Sequence, residues 1–322
     1  MKHLHSKILS IISVVFFYTA SIAQKEADLL VYNATIYTVD SDFSVKSAMV
    51  IDKGRIIALG QVDSLEKEFN IKQKINAKGK FIYPGFIDAH CHFLAYGKSL
   101  QECDLTGTKS WKDVLSRLGE FVKHHDHKKW IIGRGWDQND WKNKQYPTNG
   151  ELNRKFPNVP ILLFRIDGHA AIANQKAMDM AGSSINSSLA GGEVIFQNGK
   201  PTGVLIDNAI DLVSKNIPEP TNEDLIQYLK TAEKKCVAMG ITGVHDCGLD
   251  AKDVQLIQQL YNTHQLSMRM YIMLSDKKEN YDYLFKKGKI QTEQLTVNGF
   301  KLYADGALGS RGACLLQPYS DM

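Results

Sequence analysis

The chain has 322 residues, 43% hydrophobic and 23% charged, with 24 glycines; such a chain buries a sizeable core, which excludes disorder, a collagen repeat and a disulfide miniprotein. Its formal charge is +4, from 39 basic and 35 acidic residues. Lys2 and Lys7 fall in a segment read below as a leader, and without them the balance is 37 to 35, which gives no electrostatic case for nucleic acid or an anionic membrane.

Residues 1–23 combine Lys2 and Lys7, an apolar run over 8–18 and Ser21-Ile22-Ala23 before Gln24. This is the pattern of a cleavable signal peptide. Ile8 to Ala23 spans 16 residues, short of the roughly 18 to 20 that cross a bilayer. No stable membrane anchor is therefore expected after cleavage, and the mature chain is placed in the periplasm or secreted. The five cysteines, Cys91, Cys103, Cys236, Cys247 and Cys314, are odd in number and form no CxxC. They indicate neither a disulfide framework nor a cysteine zinc site, and read as small buried residues.

Over 24–80, short apolar alternations at 29–32, 36–39, 48–51 and 56–59 stand between Asp, Asn and Gly turns, the pattern of a small β-sheet unit. From Pro84 the character changes to alternating strand and helix patterns, which argues for a parallel α/β domain. A first strand and its motif occupy 81–104. Ser110 can cap a helix with Trp111, Val114, Leu115, Leu118 and Val122 on one face. Thr221 with Asp224 starts a second, ending at Gly240, and 252–264 and 279–287 carry two more. Strands are expected at 241–245, 268–274 and 299–304. The span 105–225 breaks this rhythm with strand-like runs at 130–133 and 161–165 and a hairpin signal at Asn198-Gly199. It reads as an inserted α+β subdomain, leaving 226–322 for the second to fourth parallel strands.

His90-Cys91-His92 closes the first strand. Strand residues i and i+2 share a face, so both imidazoles can converge on one metal ion, with Asp88 on the same face and Ile87, Ala89 and Cys91 turned into packing. Two other HxH triplets, His3-Leu4-His5 and His125-Asp126-His127, lie in the leader and in a Lys-rich polar stretch, so context decides among the three. On the strand near 301, Lys301 falls opposite Phe300 and Leu302; if the apolar face packs on helices, Lys301 points inward, where a lone ammonium needs a partner or a lowered pKa. Asp305 is its alternative, ion-pairing partner. His245-Asp246 sits at a strand end, with parity leaving open which of the two faces inward.

The run Pro84-Gly85-Phe86-Ile87-Asp88-Ala89-His90-Cys91-His92 resembles the first-strand signature of the amidohydrolase superfamily of metal-dependent hydrolases. Gly135-Trp136-Asp137, Arg165-Ile166-Asp167-Gly168-His169, Gly191-Gly192 with Pro201-Thr202-Gly203, Gly243-Val244-His245-Asp246 and the run from Lys301 to Arg311 are similar to its amidohydrolase 3 branch, which includes N-substituted formamide deformylase. The resemblance implies a (β/α)8 TIM barrel beside a composite β-sandwich, of which 24–80 is the first part. It implies hydrolysis of a non-peptide carbon–nitrogen bond in a small-molecule amide or formamide by metal-activated water. The implied metal is one or two divalent ions, zinc first, held by His90, His92 and a carbamylated Lys301. His169 and Arg311 are candidate substrate contacts, each set against a structural role, and Trp136 is either a substrate platform or core.

In the family the acid/base aspartate follows the eighth strand and further histidine ligands come from the fifth and sixth, so these are expected beyond residue 322. A whole barrel takes about 250 residues, and 81–104 with 226–322 accommodate about its first four strands. Half a barrel exposes a sheet edge and an inner face, which predicts instability or homo-oligomerisation. Two products fit: the N-terminal portion of an amidohydrolase, or an inactive remnant that binds metal at most weakly and lacks the second half of the barrel.

Overall fold

The computed structural model describes residues 24–124, 130–182, 189–306 and 313–320. The leader, His125 and His127, and Arg311 lie outside the described residues. The chain divides into two compact units after Gly85.

In the first unit, β1 (Lys25–Tyr32), β2 (Thr35–Tyr37), β3 (Val45–Lys46), β4 (Ala48–Asp52), β5 (Arg55–Gly60), α1 (Val62–Glu68), β6 (Phe69–Asn76) and β7 (Phe81–Ile82) form two sheets, ordered β5-β4-β1-β6 and β3-β2-β7. Alternation in β4 turns Ala48 and Val50 into a core that Ala27 and Leu30 of β1 share and that Leu65 and Phe69 close.

The second unit begins with β8 (Phe86–Cys91) and α2 (Phe93–Ser99). There follow β9 (Cys103–Asp104), α3 (Trp111–His124), β10 (Ile131–Trp136), α4 (Gly150–Lys155), β11 (Ile161–Arg165), β12 (Ala170–Ala173), α5 (Gln175–Ala181), β13 (Gly192–Gln197), β14 (Lys200–Asp207) and α6 (Ile210–Ser214). These strands form a separate mixed sheet ordered β13-β14-β12-β11-β10-β9. Its β13–β14 hairpin turns through Asn198 and Gly199, both at positive φ, as the Asn-Gly signal requires.

The chain then resumes with α7 (Asn222–Ala238), β15 (Ile241–Leu249), α8 (Ala251–Asn262), β16 (Arg269–Ser275), α9 (Lys278–Lys287), β17 (Ile290–Gln291) and β18 (Leu295–Lys301). Helix α7 starts with the Thr221–Asp224 capping box that the sequence signals. Strands β8, β15, β16 and β18 are mutually parallel and adjacent in that order, with β17 antiparallel on the far edge. One face of this sheet packs on α7, α8 and α9 through Val244, Ile257, Leu260, Ile272, Leu284 and Val297. The strand expected at 299–304 in fact begins at Leu295 and ends at Lys301, because Leu295-Thr296-Val297 already alternates into this core; Tyr303 and Asp305 lie past its end.

All five cysteines are free. Among the described residues no helix is long and apolar enough to cross a membrane.

Candidate metal centre at the carboxyl ends of the parallel strands

Because β8, β15, β16 and β18 run the same way, their carboxyl ends gather at one edge of the sheet, where His90, His92, Asp246, Ser275 and Lys301 stand. In such folds this edge is where ligands bind. Among the described residues β8 pairs with β15 alone, starting with the Phe86 amide on the Gly240 carbonyl at 2.8 Å.

Lys301 Nζ lies 3.4 Å from His90 Nε2. Their strands are separated by β15 and β16, and three strand spacings in a flat sheet amount to about 14 Å. The contact therefore requires the sheet to curl so that both side chains meet over its concave face. Lys301 is turned there because the preceding Phe300 packs outward on α9, its ring centroid 4.7 Å from Tyr281 and 5.6 Å from Phe285. The ammonium also lies 5.3 Å from the centre of the Tyr303 ring. No described carboxylate pairs with it; Asp305, its alternative partner, accepts the Cys314 amide at 2.9 Å instead.

His90 and His92 stand with ring centroids 6.1 Å apart and planes at 80°. The simple alternation expected of β8 needs correction. The register pairs Asp88 with Val244 and Cys91 with Asp246, so three steps on β8 match two on β15 and a bulge intervenes. Asp88 and Cys91 consequently lie beside the helix-packed residues, and Asp88 does not share the face of His90; its carboxylate accepts the His90 amide at 3.1 Å. Ile87, expected in packing, is 66% exposed and lines an open groove of about 260 Å³ with Gly243, His245, Arg269, Tyr271 and Thr296.

The parity left open at His245-Asp246 is thereby resolved. His245 faces the groove, 5.0 Å from the Tyr271 ring, while Asp246 is 1% exposed on the helix side. Burial pushes the Asp246 carboxyl up to about 6, against the pull of the Leu94 and Phe93 amides and of His92.

In the inserted sheet, Trp136 is fully buried: its indole Nε1 donates to the Leu163 carbonyl at 2.8 Å and its ring packs 6.0 Å from Trp141. It is core, and the substrate-platform alternative is not supported, since alternation along β10 and a bulge at Arg134–Trp136 turn it inward. His169 is exposed, with Nδ1 2.8 Å from the Asp207 carboxylate. Its amide donates to Asp167, which Arg165 grips with two bonds of 2.9 and 2.7 Å. Arg165 holds the Asp167 carboxyl below its ordinary range. Asp207 adopts φ 46°, a conformation that Asp tolerates and that often marks a constrained position. Sequence reasoning did not find Asp207 or the contacts of Asp246; each depends on a neighbouring strand's register.

Among the described residues no three His, Cys, Asp or Glu side chains converge as a metal-binding group. Two imidazoles can offer neutral nitrogen lone pairs to a divalent ion, but the Lys301 ammonium cannot. Its placement against His90 without a carboxylate fits a lysine that becomes a ligand once neutral or carbamylated. The set thus fits a metal as a partial site.

Residues 73–322 match the amidohydrolase family, in its Amidohydro_3 form. The chain belongs to this family. It is 30% identical over 310 residues to Protein LONG AFTER FAR-RED 3 of Arabidopsis thaliana, covering 92% of this chain and 53% of that protein. It is 27% identical over 241 residues to N-substituted formamide deformylase of Arthrobacter pascens, covering 72% and 44%. The chain also superposes on the crystal structure of an uncharacterized metal-dependent hydrolase from Pyrococcus furiosus with a TM-score of 0.70 and 29% identity, covering 91% of this chain and 60% of the other. That likeness agrees with an α/β fold related to the TIM barrel. The chain spans about half the length of these curated relatives.

Proposed function

We propose that this chain is the N-terminal portion of a metal-dependent amidohydrolase that hydrolyses a non-peptide carbon–nitrogen bond, in a small-molecule amide or formamide. The observation that carries the reading is the meeting of Lys301 with His90 across two intervening strands, beside His92. His90 and His92 would hold a divalent ion, zinc being the first choice, and Lys301 would join them as a carbamate. When bound, such an ion supplies a water of lowered pKa and polarises the substrate carbonyl. His169, oriented through Nδ1 by Asp207, keeps Nε2 available to hydrogen-bond the substrate, and Arg311 would meet a substrate carboxylate.

The curled sheet of four parallel strands is, in this reading, the first half of a (β/α)8 barrel. The six-stranded sheet of β9–β14 is an insertion after the first barrel strand, and residues 24–80 begin a composite sandwich. The relatives' greater length and the two-imidazole set support placing the remaining histidine ligands and the acid/base aspartate in chain beyond residue 322. The leader-like pattern of 1–23 supports export to the periplasm or beyond.

The test is hydrolysis of N-substituted formamides and simple N-acyl amines by the zinc-loaded whole protein, this chain together with the sequence its gene encodes beyond residue 322. Turnover that is abolished by chelation and lost in His90→Ala is expected. Metal binding without turnover would favour the inactive-remnant reading, and turnover indifferent to chelation would overturn the proposal.

A further inference from the structure

We propose that Asp246 is a positioning residue for His92: from the second parallel strand, its buried carboxylate clasps the backbone that follows the histidine. The inference rests on the reading of His92 as a metal ligand and extends it to a residue that does not touch the ion.

Phe93 and Leu94 open α2, and the first amides of a helix have no acceptor within it. Asp246 accepts the Leu94 amide at 3.2 Å, and the neighbouring Phe93 amide also favours its charged form. A helix usually obtains this service from its own N-cap side chain, which is why Ser, Thr, Asp and Asn dominate there. Here the N-cap position is His92, with φ −126° and ψ 76°, and its side chain makes no capping bond. The imidazole is free for other work because a carboxylate from β15 does the capping.

The choice of a carboxylate is informative. Asp246 is 1% exposed among Phe93, Val244 and the helix-packed face of the sheet, where a charged group is costly unless its bonds are needed. Its register partner is Cys91, between the two histidines, so the clasp ties the chain on both sides of His92 to β15. The backbone angles of His92, and with them the direction of its ring relative to His90, are set by this attachment. Released, the first turn of α2 can fray, and the spacing of the two imidazoles is lost.

The experiment titrates the full-length apo-protein with Co²⁺, reading affinity and the d–d absorption band, with thermal melts of each apo-protein alongside. Asp246→Ala is expected to weaken Co²⁺ binding about 10- to 100-fold, the usual effect of losing a residue that orients a ligand, and to shift the band. Asp246→Asn, which keeps one acceptor oxygen, is expected to lose about 3- to 10-fold with a smaller shift. Should Asp246→Ala not fold, Asp246→Asn decides alone. A folded Asp246 variant with wild-type affinity and band, beside a His92→Ala that has lost binding, overturns the positioning role. Wild-type binding by His92→Ala overturns instead the reading of His92 as a ligand.

Discussion

Gly97 and Gly119 are both helical, yet replacing them with alanine should move stability in opposite directions. A Cβ on Gly97, inside α2, would stand 2.3 Å from the Tyr228 carbonyl oxygen and 2.6 Å from its carbon, on the backbone of α7. Comfortable separations between such atoms are about 3.5 Å, so the two helices must part by roughly 1 Å. Overpacking costs about 1–3 kcal/mol, and a backbone contact that cannot rotate away belongs at the upper end. Alanine's better helix propensity offsets about 1 kcal/mol of that, leaving a net loss of about 2 kcal/mol for Gly97→Ala. On α3, a Cβ at Gly119 meets nothing within 4 Å, so Gly119→Ala shows only the propensity gain, up to about 1 kcal/mol. Urea denaturation followed by circular dichroism measures both. Because α2 begins directly after His92, Gly97→Ala should also weaken divalent-metal binding while Gly119→Ala leaves it unchanged. If Gly97→Ala stabilises the protein as much as Gly119→Ala, the close approach of α2 and α7 is refuted.

Two further outcomes are expected. The amide and hydroxyl of Ser44, at 2.9 and 2.7 Å, and the Thr38 hydroxyl hold the Asp40 carboxyl down to about 2. Since its folded pKa lies below the unfolded one, its stabilisation is complete above about pH 4 and is lost as the pH falls through about 2; an NMR titration should find that depressed value, and Ser44→Ala should raise it. Trp136→Ala should cost about 3–5 kcal/mol of stability, seen as a lowered unfolding midpoint; a variant that melts normally but raises the KM for substrate would restore Trp136 as a substrate platform.

The parts legible in the sequence were those encoded locally. The capping box at Thr221 and Asp224, the Asn198-Gly199 turn and the apolar-to-histidine run of β8 each declare themselves within a few residues. Lys301 was legible because Phe300, its neighbour, carries the outward face. What was not legible depends on register between strands. The bulge in β8 breaks the alternation that would have put Asp88 beside His90, and no pattern within residues 84–92 signals it. Asp246 caps a helix 152 positions away in the chain, and Asp207 meets a histidine 38 positions away. Such pairings arise only when strands pair in register, parallel for Asp246 and antiparallel for Asp207, and periodicity carries no information about which residues then become neighbours.

In the proposed metal centre His90 and Lys301 would share one ion although 211 positions separate them. Metal content per chain, measured by mass spectrometry on wild type, His90→Ala and Lys301→Ala after identical loading and gel filtration, tests this most directly. The expected result is retained metal in wild type, near-complete loss in His90→Ala and a clear reduction in Lys301→Ala; metal content unchanged in both variants would contradict the account.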